Sequence, residues 1–383
     1  MKYNFNQLAD RKNTNCVKYD SFEADLPMWV ADMDFVVAPK IKEAIFKDAQ
    51  IGAIGYSIVP DEYFEAFVDL YYKRYGTNFK KEEMVYVSGV VASIDSIFKN
   101  LCNQGDKVVM LSPIYHTFYH CIENNGLEVL TSQLELKDGK FEINFQDLEE
   151  KLSQDKVKIF LLCNPHNPVG KIFNQDELIK INELANRYHV LVISDEIHGL
   201  VTNPGVKYIP YCTVAKDDNY VMCLATSKAF NLAGLQSAVI VCPNKERREL
   251  LQSAFWKEDI GEPNFFAVNA NIAALRDSED WLDEMNEYVY QNKLYFVNYL
   301  KDNIPELKVY LSEATYMLWV DISKASNDSL SFRDRLRDEV GLLVSPGHQF
   351  GPGGETYFRI NLATSLDNVK EACKRLKSFV KGN

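Results

Sequence analysis

Long apolar runs are missing from this sequence. No window approaches the roughly 20 apolar residues that span a bilayer, so no membrane partner is expected. The opening residues, Met1-Lys2-Tyr3-Asn4-Phe5-Asn6-Gln7-Leu8-Ala9-Asp10, lack the apolar core of a secretory signal, and a cytoplasmic location is expected. The eight cysteines, at positions 16, 102, 121, 163, 212, 223, 242 and 373, form no C-x-x-C pair. Several lie inside apolar runs, which suits reduced, buried thiols better than a disulfide framework or a zinc site. An excess of basic residues is missing too: 54 acidic side chains against 42 basic ones give a formal charge of −12, scattered rather than blocked. That balance favours solubility and argues against nucleic acid as a partner. P-loop, G-x-S-x-G elbow and sustained heptads are all absent, so NTPase, serine hydrolase and coiled-coil readings have no anchor. No helix-turn-helix pattern precedes residue 26, which argues against a transcription-factor fusion.

What is present is the usage of an ordinary globular protein, 46% apolar and 25% charged over 383 residues, long enough for one large domain and a smaller companion. Residues 1–37 are aromatic-rich and irregular, a segment suited to packing over a larger body. A helix opening on Pro39 is expected to end near Gln50, where Gly52 and Gly55 interrupt it. Phe64, Phe67, Val68, Tyr71 and Tyr72 recur at helical spacing and predict a helix over Asp61–Tyr75.

From there strands and helices alternate. Strands are expected at 85–87, 107–111, 128–131, 158–162, 190–194 and Tyr220–Leu224, with helices between them, including 175–188. This alternation predicts a mostly parallel sheet with helices on both faces. Ligands of such sheets collect at the carboxyl ends of the strands. Five candidate stretches fall there. Gly89 stands where the first strand turns into a helix; it is either a plain turn or a place where backbone N–H groups approach an anion. Ser112 to Tyr119 is an aromatic loop containing Tyr115. Asn164-Pro165-His166-Asn167-Pro168-Val169-Gly170 is a rigid turn that fixes the Asn167 amide. Asp195 follows 28 residues later, one strand–helix–strand repeat. Thr226-Ser227-Lys228 closes the series. His116 and His120 stand four apart with Cys121 adjacent, a spacing that could serve a metal on one helix face, but no third ligand is near and no metal is expected.

An amine, a carboxylate, an amide and a helix N-terminus meet the four requirements of pyridoxal 5′-phosphate. The amine condenses with its aldehyde, the carboxylate holds its ring nitrogen protonated, the amide bonds its 3-oxygen, and the helix end holds its phosphate. Tyr115 is placed to stack on the ring.

Asn164-Pro165-His166-Asn167-Pro168-x-Gly170, Ser194-Asp195-Glu196-Ile197-His198, Ser227-Lys228-x-Phe230-Asn231-x-x-Gly234 and Phe358-Arg359-Ile360-Asn361 resemble the fold-type I pyridoxal-phosphate enzymes of the aminotransferase class I/II superfamily, over essentially the whole chain. Pro27-Met28-Trp29-Val30-Ala31-Asp32-Met33-Asp34-Phe35 and the His198 ending are similar to the cystathionine β-lyase branch, the MalY/PatB-type C–S lyases.

The resemblance implies a large α/β domain over 45–270 with a mostly parallel, seven-stranded type of sheet, and a smaller α+β domain from 1–44 and 271–383. It implies catalytic roles for Lys228, Asp195 and Tyr56. Cofactor contacts fall to Lys228, Asp195, Asn167, Tyr115, His198, Gly89, Val90, Val91, Ser227, Thr226 and Tyr56, the last lent to a neighbouring subunit in a homodimer. Substrate contacts fall to Arg359, which takes the α-carboxylate, with Asn167, Trp29 and Tyr115. The implied reaction is α,β-elimination from L-cystathionine or another cysteine S-conjugate, giving a thiol, pyruvate and ammonia.

Two departures bear on the alternative, an aminotransferase. Gln236 stands where such enzymes usually carry a phosphate-binding arginine, and His198 where they usually carry tyrosine. A third reading, a non-catalytic regulator that keeps the pocket, leaves the lysine base unexplained.

Beyond the sheet, a helix is expected at 245–256, a long helical tract at 267–300, and short strands at 308–311, 316–322 and 357–362. The loop 344–354 is too rich in glycine and proline for a helix, and is either a border of the pocket or a surface connection.

Overall fold

The computed structural model describes residues 1–382. Seven short apolar segments become the strands of one sheet: β1 (Met84–Val87), β2 (Lys107–Ser112), β3 (Glu128–Gln133), β4 (Val157–Cys163), β5 (Leu191–Asp195), β6 (Tyr220–Leu224) and β7 (Ala238–Val241). They lie in the order β1-β7-β6-β5-β4-β2-β3, and every neighbouring pair is parallel except the two made by β7. This is the mostly parallel, helix-flanked α/β sheet expected from the alternation.

Both faces of the sheet are buried, which is why its strands read as nearly continuous apolar runs. The period of two assigns each residue to a face. Val109, Leu111, Phe160, Leu162, Val192 and Met222 join one core, shared with the helices Asp61–Tyr75, Gln175–Arg187 and Ala267–Asp277. Val108, Met110, Ile159, Leu161, Ile193 and Val221 join the other, under Val90–Leu101, Thr117–Asn124 and Lys245–Lys257.

A second, antiparallel sheet is built from Lys308–Val309, Met317–Asp321, Tyr357–Asn361 and Ser345–Pro346. Its core takes in Phe296, Leu300, Leu318, Ile360 and Leu376 together with Leu26 and Met28 from the other end of the chain. Leu26–Pro27 also pairs in parallel with Leu342–Leu343, so the N-terminal segment is woven into this unit.

The helical tract expected as one rod over 267–300 is two helices, Ala267–Asp277 and Glu279–Asn303. The break is at Ser278, whose backbone leaves the helical region (φ −128°, ψ 19°) while its hydroxyl donates to the Ala273 carbonyl. Glu279 and Asp280 then open the second helix with the acidic first turn that favours a helix start. That second helix does bridge: Trp281, Met285 and Val289 sit in the large core, Phe296 and Leu300 in the smaller one.

Asn231, just past the lysine loop, ties the N-terminal segment to the sheet. It holds φ of 59°, where asparagine is tolerated far better than alanine. Its amide accepts from the Met33 N–H and donates to the Met33 and Phe35 carbonyls. Asn231→Ala should therefore lower the unfolding free energy by about 2–4 kcal/mol, from lost hydrogen bonds plus a strained backbone. Asn231→Gly should recover the backbone part, measured by urea denaturation of both variants.

Candidate active site

The sheet's carboxyl edge encloses a cavity of about 410 Å³. The end of β1 and the first turn of helix Val90–Leu101 bring Gly89, Val90 and Val91; the loop after β2 brings Tyr115; β4, β5 and β6 bring Asn167, Asp195 with His198, and Ser227 with Lys228. The register sets these depths, since Cys163 pairs with Asp195 and Asp195 with Cys223, while the Asn164 N–H donates to the Asp195 carbonyl at 2.8 Å. Because β7 runs antiparallel, its amino end faces the same edge and delivers Gln236 and Ser237.

Lys228 Nζ donates to the Ala31 carbonyl at 2.9 Å. Its pKa is pulled down to about 8 by burial first and by the Arg359 cation second, against the upward pull of Asp32 and Asp195. Asp195 is pushed up to about 7 by burial, opposed by the Ile197 N–H on its Oδ1 (3.1 Å) and by Lys228. A carboxylate in that state gains by facing a cation, and its Oδ2 has no hydrogen-bond partner among the described residues. His198 is buried within electrostatic reach of Lys228 and Arg359. Burial first, then those two cations, hold its pKa well below the usual histidine value, and its Nδ1 has no partner among the described residues. The imidazole is neutral.

Arg359, on the strand Tyr357–Asn361, is 4% exposed, and burial pulls its pKa down to about 10. Nη1 donates to Asn167 Oδ1 and Nη2 to the Trp29 carbonyl, both at 3.0 Å, while Nε is buried without a partner among the described residues. Since a guanidinium can only donate, the Asn167 oxygen must face it, which leaves the Asn167 Nδ2 donor for the cavity. Arg359 itself stands behind Asn167 rather than in the cavity wall.

Three other expected residues are placed differently. The Thr226 hydroxyl bonds Asn271, and Thr226 does not line the cavity, so its side chain is a core contact. The Trp29 indole N–H bonds the Lys18 carbonyl and its ring packs on Phe22; only its main-chain carbonyl reaches the site, through Arg359. Tyr56 is 98% exposed and outside the cavity of its own chain.

Residues that sequence reasoning missed include Ala31, Ser237, Tyr316 and Ser345. Ser237 precedes β7, a strand not expected from the sequence and one whose reversed direction no local signal marks. The loop 344–354 does border the site's arginine, with Phe350 under the guanidinium at 4.9 Å and Ser345 beside it. His116 and His120 lie 6.4 Å apart between ring centroids, and His116 packs against Tyr115 and Phe350. A larger cleft of about 730 Å³ lies between the 138–143 hairpin and the second sheet, and it contains none of the site residues.

The donor set fits a phosphorylated pyridine aldehyde. Gly89 leaves open space where a Cβ would project, so the first N–H groups of its helix are approachable. The Asn167 amide donor and the lone Asp195 oxygen face the same space as the amine.

Fold and site together define an α/β protein built around an amine at a sheet's carboxyl edge. The chain belongs to the aminotransferase class I and II family, whose profile matches residues 31–376. It is 34% identical to cystathionine beta-lyase PatB of Bacillus subtilis over 98% of this chain and 99% of that protein. It is 30% identical to MalY of Escherichia coli over 99% of each. Among solved structures, the pyridoxal-phosphate-bound C–S lyase of Staphylococcus hominis superposes with a TM-score of 0.94, at 31% identity and full coverage of both chains.

Amine labelling as a function of pH should give Lys228 a midpoint near 8, against 10.5 for an ordinary lysine. Arg359→Met should move that midpoint upward, because one of the two causes of the depression is gone.

Proposed function

We propose that this chain is a pyridoxal-phosphate-dependent C–S β-lyase that cleaves L-cystathionine or a related cysteine S-conjugate. The observation that carries the reading is the Lys228 amine, buried, depressed to about 8 and sharing one cavity with Asp195, Asn167 and the 89–91 helix start, in a chain matched end to end by C–S lyases. The bound cofactor would supply an electron sink for the pair left at Cα.

The chain's own residues would do the rest. Asp195 would hold the ring nitrogen's proton, Asn167 Nδ2 would bond the 3-oxygen, Tyr115 would stack, and Ser227 with the N–H groups of 89–91 would hold the phosphate. Arg359 would receive the α-carboxylate, offering its partnerless Nε–H and the Nη donors it now shares with Asn167 and Trp29. With its pKa near neutrality, Lys228 can take the Cα proton as free amine and return a proton as ammonium. Neutral His198 and Gln236 add no further cation. Departure of the thiolate from Cβ leaves an unsaturated amine that water converts to pyruvate and ammonia, so L-cystathionine plus water gives homocysteine, pyruvate and ammonia.

The working form would be a cytoplasmic homodimer. Tyr56, flanked by Ile54 and Ile58 that are 70% and 83% exposed, forms a surface suited to a second copy, to which Tyr56 would be lent. We propose a large domain at 45–270 and a small one from 1–44 and 271–383, divisions that fall inside the helices Pro39–Gln50 and Ala267–Asp277, the second of which packs wholly on the large core.

With L-cystathionine and no 2-oxo acid, the protein should release free thiol and pyruvate over many turnovers, read with a thiol reagent and a lactate dehydrogenase couple. A yield capped at one product per subunit until a 2-oxo acid is added would overturn the lyase in favour of an aminotransferase. Lys228→Ala should lose activity by a factor of about a thousand or more, and borohydride reduction should attach the cofactor at position 228.

A further inference from the structure

Six consecutive residues of the N-terminal segment, 28–33, have their carbonyls engaged as acceptors, and two of them, Trp29 and Ala31, meet Arg359 and Lys228. Met28 O accepts from the Asn361 N–H, Trp29 O from Arg359 and from the Ser345 hydroxyl (2.9 Å), and Val30 O and Asp32 O from the Asn361 amide. Ala31 O accepts both from Lys228 Nζ and from the Tyr316 hydroxyl at 2.7 Å. Met33 O accepts from Arg11 and Asn231. One strap of main chain thus touches the amine and the guanidinium, and no side chain of 28–31 is needed for those contacts.

The strap is pinned from behind by an ion pair that takes no part in the chemistry. Lys18 Nζ lies 2.7 Å from Asp34 Oδ1, with the two side chains 1% and 2% exposed, and 3.7 Å from Asp32. Arg11 closes the cluster on Asp32 at 2.5 Å. The Trp29 indole N–H on the Lys18 carbonyl folds the strap's start against the same short helix. A buried ammonium with no solvent must keep its carboxylate, so the pair holds its two chain segments at a fixed separation.

We propose that Lys18 is a positioning residue, whose buried pair with Asp34 latches the 28–33 strap so that Ala31 O orients the Lys228 amine and Trp29 O orients Arg359. The Ala31 carbonyl is the acceptor that receives the amine whenever it is not covalently engaged, and Tyr316 fixes that carbonyl in place. Two separable effects follow: what the strap does through Arg359 governs substrate affinity, and what it does through Lys228 governs proton transfer. This rests on the lyase reading for its kinetic readout alone.

Lys18→Met should raise KM and lower kcat together, with kcat/KM for L-cystathionine falling about tenfold or more, since small misplacements of reacting groups are costly. Amide hydrogen exchange over 28–34 should quicken while cofactor content stays at the wild-type level, and Lys18→Arg should restore most of both. Ser345→Ala, which touches only the Arg359 side, should raise KM and spare kcat. Tyr316→Phe, which removes only the hydroxyl on the Ala31 carbonyl and keeps the ring against His198, should lower kcat and spare KM. Faster exchange in Lys18→Met with unchanged kinetics overturns the positioning role; unchanged exchange overturns the latch. If Lys18→Met fails to fold, the other two variants decide: both constants moving together, or neither moving, overturns the proposal. Wild-type protein that releases no thiol overturns the lyase reading instead, and the exchange comparison, which needs no substrate, still tests the latch.

Discussion

Two cations, the Lys228 ammonium and the Arg359 guanidinium, are held out of bulk water within mutual influence, and the polar contacts around them answer that constraint. Like charges in a low-dielectric site repel far more than they do in water. The structure offsets this with oxygens rather than with a matched ion pair: the Ala31 carbonyl on the amine, the Trp29 carbonyl and the Asn167 oxygen on the guanidinium. The two carboxylates that act on the amine, Asp32 and Asp195, are each committed elsewhere, Asp32 to Arg11 and Asp195 to the Ile197 N–H. Neither neutralises the lysine fully. The result is an amine left at about 8, close enough to neutrality to serve in both protonation states.

Sheet topology makes this arrangement affordable in backbone terms. Parallel strands end at one edge, so the ladder brings Cys163, Asp195 and Cys223 to one depth, and short loops carry the chain on from there to Asn167 and Lys228. The one reversed strand, β7, reaches the edge with its beginning, which is how Gln236 and Ser237 join a site otherwise made from strand ends. Tyr63 then bonds Ser237 at 2.7 Å inside the core, tying that corner of the cavity to the helix Asp61–Tyr75.

The alternating half of the chain was legible because both of its signals are local. Buried parallel strands are short apolar runs, and the helices between them carry their own start signals, as the Asn174 to Glu177 capping box does for Gln175–Arg187. Lys228, Asp195, Asn167, Tyr115 and Gly89 could be read for the same reason, since each sits immediately after such a run. The N-terminal strap could not. Its contribution is made by carbonyls, which every residue possesses, so nothing in the side chains of Trp29 to Ala31 distinguishes it. Trp29, expected as a substrate contact from the family resemblance, matters instead through its main chain. Tyr316 arrives from another sheet 88 residues beyond Lys228, and no local pattern marks that meeting. The helix break at Ser278 was hidden by apolar periodicity that continues on both sides of it.

The charge economy of the cavity also bears on what Gln236 and His198 do. With Lys228 and Arg359 already buried together, a third fixed cation at position 236 would press both toward their uncharged forms, and a charged imidazole at 198 would do the same. Gln236 carries no charge, and burial among the existing cations keeps His198 neutral. An anion at the 89–91 helix start must then be held by main-chain N–H groups, hydroxyls and the helix dipole instead of a cation from position 236. Such a holder adds no formal charge to the site. Among the described residues it leaves Arg359 as the permanently cationic side chain behind the cavity, which under the proposed reading would meet the carboxylate of an amino-acid substrate.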